Sequence, residues 1–123
     1  MNPDKASELA QRYVEVWHET DPVARRAAIE ALWAPGGEHY VRTIAVRGYD
    51  ELEQRVTGSH EKNVRDGGYR FRVAGDPQEL HDAVTFHWEM LPAAGGEIES
   101  TGFVFLLLDA DGRILCDYQF IVS

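Results

Sequence analysis

Hydrophobic residues in this chain change their spacing once, from a helical period in the first half to a strand period in the second, and this change predicts the order of elements. Leu9, Tyr13, Val16 and Trp17 recur three or four residues apart. A helix that starts at Asn2-Pro3 and runs to about Glu19 therefore carries one apolar stripe. Thr20-Asp21-Pro22 is a second start signal, with Asp21 as N-cap, and Ile29, Leu32 and Trp33 make the buried side before Pro35-Gly36-Gly37 stops the helix. Residues 38–46, with His39, Tyr40, Val41, Ile44 and Val46, read as one short, irregular strand that Gly48 breaks. A third helix from Asp50 carries Leu52, Val56 and His60, and the polar HEKNVRDGG segment after it suits a flap.

The second half alternates. Tyr69, Phe71 and Val73 are separated by Arg70 and Arg72, Gly75-Asp76-Pro77 is expected to turn the chain, and residues 80–91 then alternate again. Val84, Phe86, Trp88 and Met90 should face the helices, leaving His81, Ala83, Thr85, His87 and Glu89 opposite. The last stretch, TGFVFLLLDADGRILCDYQFIV, reads as a long antiparallel hairpin around Asp109-Ala110-Asp111-Gly112-Arg113, a type I turn closed by a left-handed glycine. If Asp109 faces Arg113, Val104, Leu106, Leu108, Ile114, Cys116, Tyr118 and Phe120 share one face. Phe103, Phe105, Leu107, Leu115, Asp117, Gln119 and Ile121 share the other. Both faces are largely apolar, so both should be covered, one by helices and one by a second subunit. Three helices over one face of a curved antiparallel sheet is an α+β architecture.

Composition narrows the function classes. A chain of 123 residues fits one domain, residues 1–123, and its net charge of −9 argues against binding nucleic acid or an anionic membrane surface. The single cysteine, Cys116, rules out an internal disulfide and fits a reducing compartment. No apolar run marks a signal peptide and none reaches transmembrane length, so the chain is expected to be cytoplasmic.

The element order, with Gln11-Arg12-Tyr13, Leu32-Trp33-Ala34-Pro35, Val46-Arg47-Gly48-Tyr49-Asp50, Phe86-His87-Trp88-Glu89 and Asp111-Gly112-Arg113-Ile114, resembles the nuclear transport factor 2-like superfamily, in particular its small SnoaL-like members. The resemblance covers nearly the whole chain. It implies a cone-shaped, cystatin-like α+β barrel, a pocket between sheet and helices, and a homodimer through the outer sheet face. In relatives the pocket serves ketosteroid isomerases, polyketide cyclases, epoxide hydrolases, dehydratases or plain ligand binding, so fold does not fix function. The ketosteroid isomerases use a first-helix tyrosine, an aspartate base and a strand carboxylic acid. Tyr13 matches the first; the base position falls on Val41 or Arg42 and the strand acid on Val104. Valine neither moves a proton nor donates to an oxyanion, so ketosteroid isomerase activity is not expected. The two aspartates bridged by arginine that epoxide hydrolases need are not evident on one face.

Among candidate catalytic groups Tyr13 leads, because a phenol within an apolar helix face needs a hydrogen-bond partner and can donate to a ligand carbonyl. His39 is a candidate general base. Asp117 is an acid or base if its face lines the pocket; the hairpin register favours the outer face, where it would pair across a dimer interface. Asp82 is a second pocket acid on the parity of Val84. An aromatic lining of Trp17, Trp33, Phe86, Trp88 and Tyr118, with Tyr40, His60 and Val104 beside it, suits a small apolar ligand that carries a carbonyl. No metal or organic cofactor is expected, since His81 and His87 lie six strand residues apart, roughly 20 Å. Two readings follow: a cofactor-free isomerase, cyclase or hydrolase, or a non-catalytic dimer that binds an apolar metabolite.

Overall fold

In the computed structural model, which describes residues 3–123, the first apolar stripe forms helix α1 (Pro3–Val16). Leu9, Tyr13, Val16 and Trp17 are all buried. The Asn2 cap expected for this helix lies outside the described residues. Asp21 caps α2 (Pro22–Leu32) by accepting the Ala24 N–H at 3.1 Å, and Pro22 occupies the first turn, where its missing donor is not needed. Buried Arg25 donates to the carbonyls of Glu19 and Thr20 and to Thr57 Oγ1, tying α2 to the preceding loop and to α3 (Tyr49–Ser59).

The chain leaves α2 directly into strand β1 (Trp33–Val41), so Pro35-Gly36-Gly37 is strand rather than loop. The irregularity is local. Gly36 has φ +75°, and a Cβ on Gly37 would stand 2.9 Å from Ala34 O and 3.0 Å from Ile114 O. Residues 38–46 are not one strand but a hairpin: Arg42, at φ 51°, reverses the chain into β2 (Ile44–Arg47). In place of a flap, His60–Asp66 continues α3 as a π-helical segment. His60 anchors it, buried with Nδ1 3.0 Å from the Trp17 carbonyl.

Strands β3 (Tyr69–Leu80), β4 (Ala83–Pro92), β5 (Ser100–Leu108) and β6 (Ile114–Ile121) complete the fold. Gly75-Asp76-Pro77 is a bulge within β3, because pairing stops at Ala74↔His87 and resumes at Gln78↔Thr85; the turn falls at His81-Asp82. The six strands run in the order β2-β1-β6-β5-β4-β3. Only β1 and β6 pair in parallel. The sheet is curved and unclosed, so the expected barrel is an open cone whose edge strands are β2 and β3. Val84, Phe86, Val104, Leu106 and Ile114 pack its inner face against the helices.

The β5–β6 turn matches expectation, with Asp109 N–H donating to Arg113 O at 2.8 Å and Gly112 at φ 83°. The register beyond it does not. Leu108 pairs with Ile114 but Leu107 pairs with Cys116, which leaves Leu115 as a bulge. One extra residue inverts the side-chain parity of everything after it. Asp117, Gln119 and Ile121 therefore turn inward beside Val104 and Leu106, and Cys116, Tyr118 and Phe120 join Phe103 and Phe105 outside. Asp117 is fully buried, a correction to the interface position read from the sequence.

Candidate active site

Four elements each contribute one polar side chain to a single buried chain of contacts. His39 of β1 and Asp117 of β6 are direct partners in the parallel pair, so their side chains stand together on the inner face. His39 Nδ1 lies 2.8 Å from Asp117 Oδ2. Tyr13, on the α1 stripe, donates its hydroxyl to the same oxygen at 2.6 Å. Arg55 of α3 donates Nε–H to His39 Nε2 at 3.2 Å, and its guanidinium lies 5.2 Å above the Trp17 ring centre.

The donors fix the protons. Arginine has no acceptor, so His39 Nε2 must accept, the imidazole is neutral, and its one proton sits on Nδ1 and is donated to the Asp117 carboxylate. The sequence is thus cation, neutral ring, anion, phenol. Burial, and then the neighbouring Asp117 charge, raises the Tyr13 phenol well above its ordinary range, which keeps it a donor. Burial lowers Arg55 from its ordinary value, against the opposing pull of Tyr13 and Asp117. Asp117 Oδ1 and Trp33 Nε1 are buried with no hydrogen-bond partner among the described residues.

Above this chain lies a cavity of about 620 Å³. Its walls are apolar on several sides, from Val14, Trp17, Val41, Phe71, Trp88, Met90 and Ile121, and polar where Tyr13, Arg55, Ser59, Lys62, Asn63 and Gln119 face it. Gln119 Oε1 accepts the Trp88 indole N–H at 2.8 Å, which orients that wall.

Of the residues singled out from the sequence, Tyr13, Trp17 and Trp88 line the cavity. His39 and Asp117 have no exposed surface and stand one layer behind it. Trp33, Phe86 and Val104 belong to the packed core, and His60 is buried against the Trp17 carbonyl. Tyr40 and Tyr118 stack at 5.2 Å on the outer face. Asp82 is exposed in the β3–β4 turn. The bulge at Leu115 accounts for Tyr118, the turn at His81-Asp82 accounts for Asp82, and Tyr40 shares the face of Tyr118 as its partner in the parallel pair. Sequence reasoning missed Arg55, although a signal exists: Leu52, Arg55, Val56 and Ser59 share one helical face, so a cation sits within a buried stripe. Among the described residues, no three His, Cys, Asp or Glu side chains cluster closely enough to hold a metal ion, and no helix is long and apolar enough to cross a membrane.

A family model described as SnoaL-like domain matches residues 10–116. No curated protein matches the sequence. Among solved structures, a protein from Agrobacterium tumefaciens provisionally named an isomerase of the SnoaL-like family is 22% identical, with TM-score 0.87 over 98% of this chain and 99% of its own. A de novo designed NTF2 fold protein is 17% identical, with TM-score 0.75 over 100% of this chain and 88% of its own. A protein of unknown function with a cystatin-like fold from Methylobium petroleophilum is 16% identical, with TM-score 0.72 over 100% of this chain and 79% of its own.

Proposed function

This chain belongs to the SnoaL-like domain family of the NTF2-like superfamily, and from that premise we propose that its cavity takes a small, largely apolar ligand bearing a carbonyl or carboxylate oxygen. On that ligand the protein carries out cofactor-free proton-transfer chemistry of the isomerase, cyclase or hydrolase type. One observation carries the reading: Arg55, a cation held on Trp17 and backed by His39 and Asp117, lines a cavity with apolar walls from Val14, Trp17, Phe71, Trp88 and Met90 and polar ones that include Arg42, Lys62 and Glu99. A guanidinium with desolvated surroundings is suited to a developing oxyanion, since its charge is screened less there than in water. The provisional isomerase name of the Agrobacterium protein agrees with this class.

A second reading, a non-catalytic ligand-binding protein, is favoured by the zero exposure of His39 and Asp117, because a base must reach the proton it takes. Native mass spectrometry of the protein purified from its own host tests both. A defined organic adduct that is chemically altered on incubation supports the enzyme; an adduct returned unchanged supports the binder. No adduct, together with no calorimetric binding of 2-naphthoate or 2-naphthaldehyde, removes the pocket reading.

The same proposal extends to assembly. The outer face carries Phe103, Phe105, Tyr118 and Phe120 in ring contact, with His87 against Phe103 and Tyr40 against Tyr118, and Phe120 is 57% exposed. This surface is more apolar than the sequence register implied, since Asp117 and Gln119 are not on it. Its occupant is a second copy of the chain, seated through a twofold contact. Phe105→Glu is expected to weaken self-association by roughly tenfold or more, because a carboxylate would be buried against its own symmetry mate. Sedimentation equilibrium reads this; an undisturbed dimer would exclude the face.

A further inference from the structure

We infer that Arg55 is a ligand-displaced plug over a His39–Asp117 base. The inference rests on the pocket reading above and adds what the pocket discriminates. Its basis is the order of contacts. His39 has its Nδ1 proton committed to Asp117 and its Nε2 lone pair available, which is the tautomer of a base oriented by a carboxylate. Tyr13 holds the orienting carboxylate from the other side. Only Arg55 Nε caps the lone pair, through the longest of the three bonds, 3.2 Å against 2.8 and 2.6 Å.

Arg55 faces the cavity, as Tyr13 does, and its two terminal nitrogens make no hydrogen bond among the described residues. A ligand oxygen with full or developing negative charge can therefore take both in a fork, a stronger contact than one N–H on an imidazole nitrogen. Rotation of the long side chain toward that oxygen opens Nε2 to the cavity beside Trp17. A neutral hydrocarbon offers the guanidinium N–H groups no acceptor and leaves the plug in place.

The reaction this permits is proton transfer next to a carbonyl. The C–H bond α to the carbonyl breaks, its proton forms the new Nε2–H bond, and its electron pair moves to the carbonyl oxygen as an enolate facing Arg55. His39 is then an imidazolium between Asp117 and the enolate. Where the substrate carries a β,γ double bond the intermediate is a dienolate, and return of the proton to its γ carbon moves the double bond into conjugation, an isomerisation with no oxidant or reductant. Ligands without an anionic or polarised oxygen within reach of Arg55 are not substrates. That is the specificity the plug imposes.

Diethyl pyrocarbonate acylates an accessible, unprotonated imidazole nitrogen, so peptide mapping after brief labelling at neutral pH reads the plug directly. Exposed His81, in the β3–β4 turn, serves as the internal reference. In the unaltered protein His39 should label at least roughly tenfold more slowly than His81, and in Arg55→Met it should approach it. His39 that stays protected in a folded Arg55→Met protein, with the reference rate unchanged, overturns the plug. Nitrogen-15 NMR of the histidine rings in the unaltered protein serves if Arg55→Met does not fold: saturation with 2-naphthoate should shift the His39 Nε2 resonance as the Arg55 hydrogen bond is lost, whereas naphthalene should leave it unchanged. Bound 2-naphthoate with that resonance unmoved overturns the plug while the pocket reading stands. If 2-naphthoate does not bind, that reading is what fails, and the Arg55→Met comparison still decides the plug.

Discussion

Asp117→Ala is expected to lower the unfolding free energy by about 3–5 kcal/mol, a large part of the total for a domain of this size. The side chain has no exposed surface, and one oxygen accepts both the Tyr13 hydroxyl and the His39 N–H. Removing it leaves two buried donors unpaired, at about 1–3 kcal/mol each, and removes the anion that balances Arg55. The midpoint of thermal unfolding should fall by roughly 10–20 °C. Tyr13→Phe, which deletes a single donor and keeps the ring packed against Trp17, Trp33 and Phe86, should cost only about 1–2 kcal/mol. The pair should be strongly non-additive: once Asp117 is gone, Tyr13→Phe removes an unsatisfied hydroxyl and costs little or even stabilises. Urea unfolding of the four proteins of this cycle measures it. Additive effects, or a loss below about 1 kcal/mol for Asp117→Ala, would show that the buried chain does not act as a unit.

This chain of contacts is also where reading the sequence fell short, and the cause is one residue. Alternation placed Val84, Phe86 and Trp88 inward correctly, because β4 runs without a bulge across these positions and its two faces differ in polarity. In β6 both faces are apolar, so polarity gave no means of locating an extra residue. The bulge at Leu115 then inverts the strand. Local patterning would in any case keep Asp117 and Gln119 away from a core, and they enter it only because partners from elsewhere are waiting: Tyr13 and His39 for the first, Trp88 for the second. Tyr13 was legible from its place in an apolar stripe that demanded a partner, whereas the partner lies 104 residues away and no spacing rule reaches it. Local preference and global arrangement disagree at this site, as they do where structure is held for function. The α+β layering and the Asp109–Arg113 turn show no such conflict, and these were readable. Arg42 and His81 turn the chain at positive φ without glycine, so the β1–β2 and β3–β4 turns carried no glycine to mark them.

Gly102→Ala is expected to destabilise the fold and disturb the pocket wall through a single added methyl group. Gly102 pairs with Trp88 across β4 and β5, and the indole lies over the glycine in the space a side chain would fill. An added Cβ would stand 2.2 Å from Trp88 Cε2, 2.3 Å from Cζ2 and 2.6 Å from Nε1. The ring must move. Moving it breaks the 2.8 Å bond from Nε1 to Gln119 and the edge-on contact with Phe71, centroids 5.4 Å apart. Overpacking of this kind costs about 1–3 kcal/mol, and the lost buried hydrogen bond adds about 1 kcal/mol. Because Trp88, Gln119 and Phe71 all line the cavity, the damage should also reach ligand binding, with affinity for any pocket ligand falling together with stability. Gly58→Ala is the matched control. It sits in α3 with nothing within 4 Å of an added methyl and no positive φ, so alanine there should stabilise by roughly 0.5–1 kcal/mol through helix propensity. Urea unfolding followed by tryptophan fluorescence compares the two. If Gly102→Ala were as benign as Gly58→Ala, Trp88 would have room to withdraw, and the glycine would not be what seats the indole in the pocket wall.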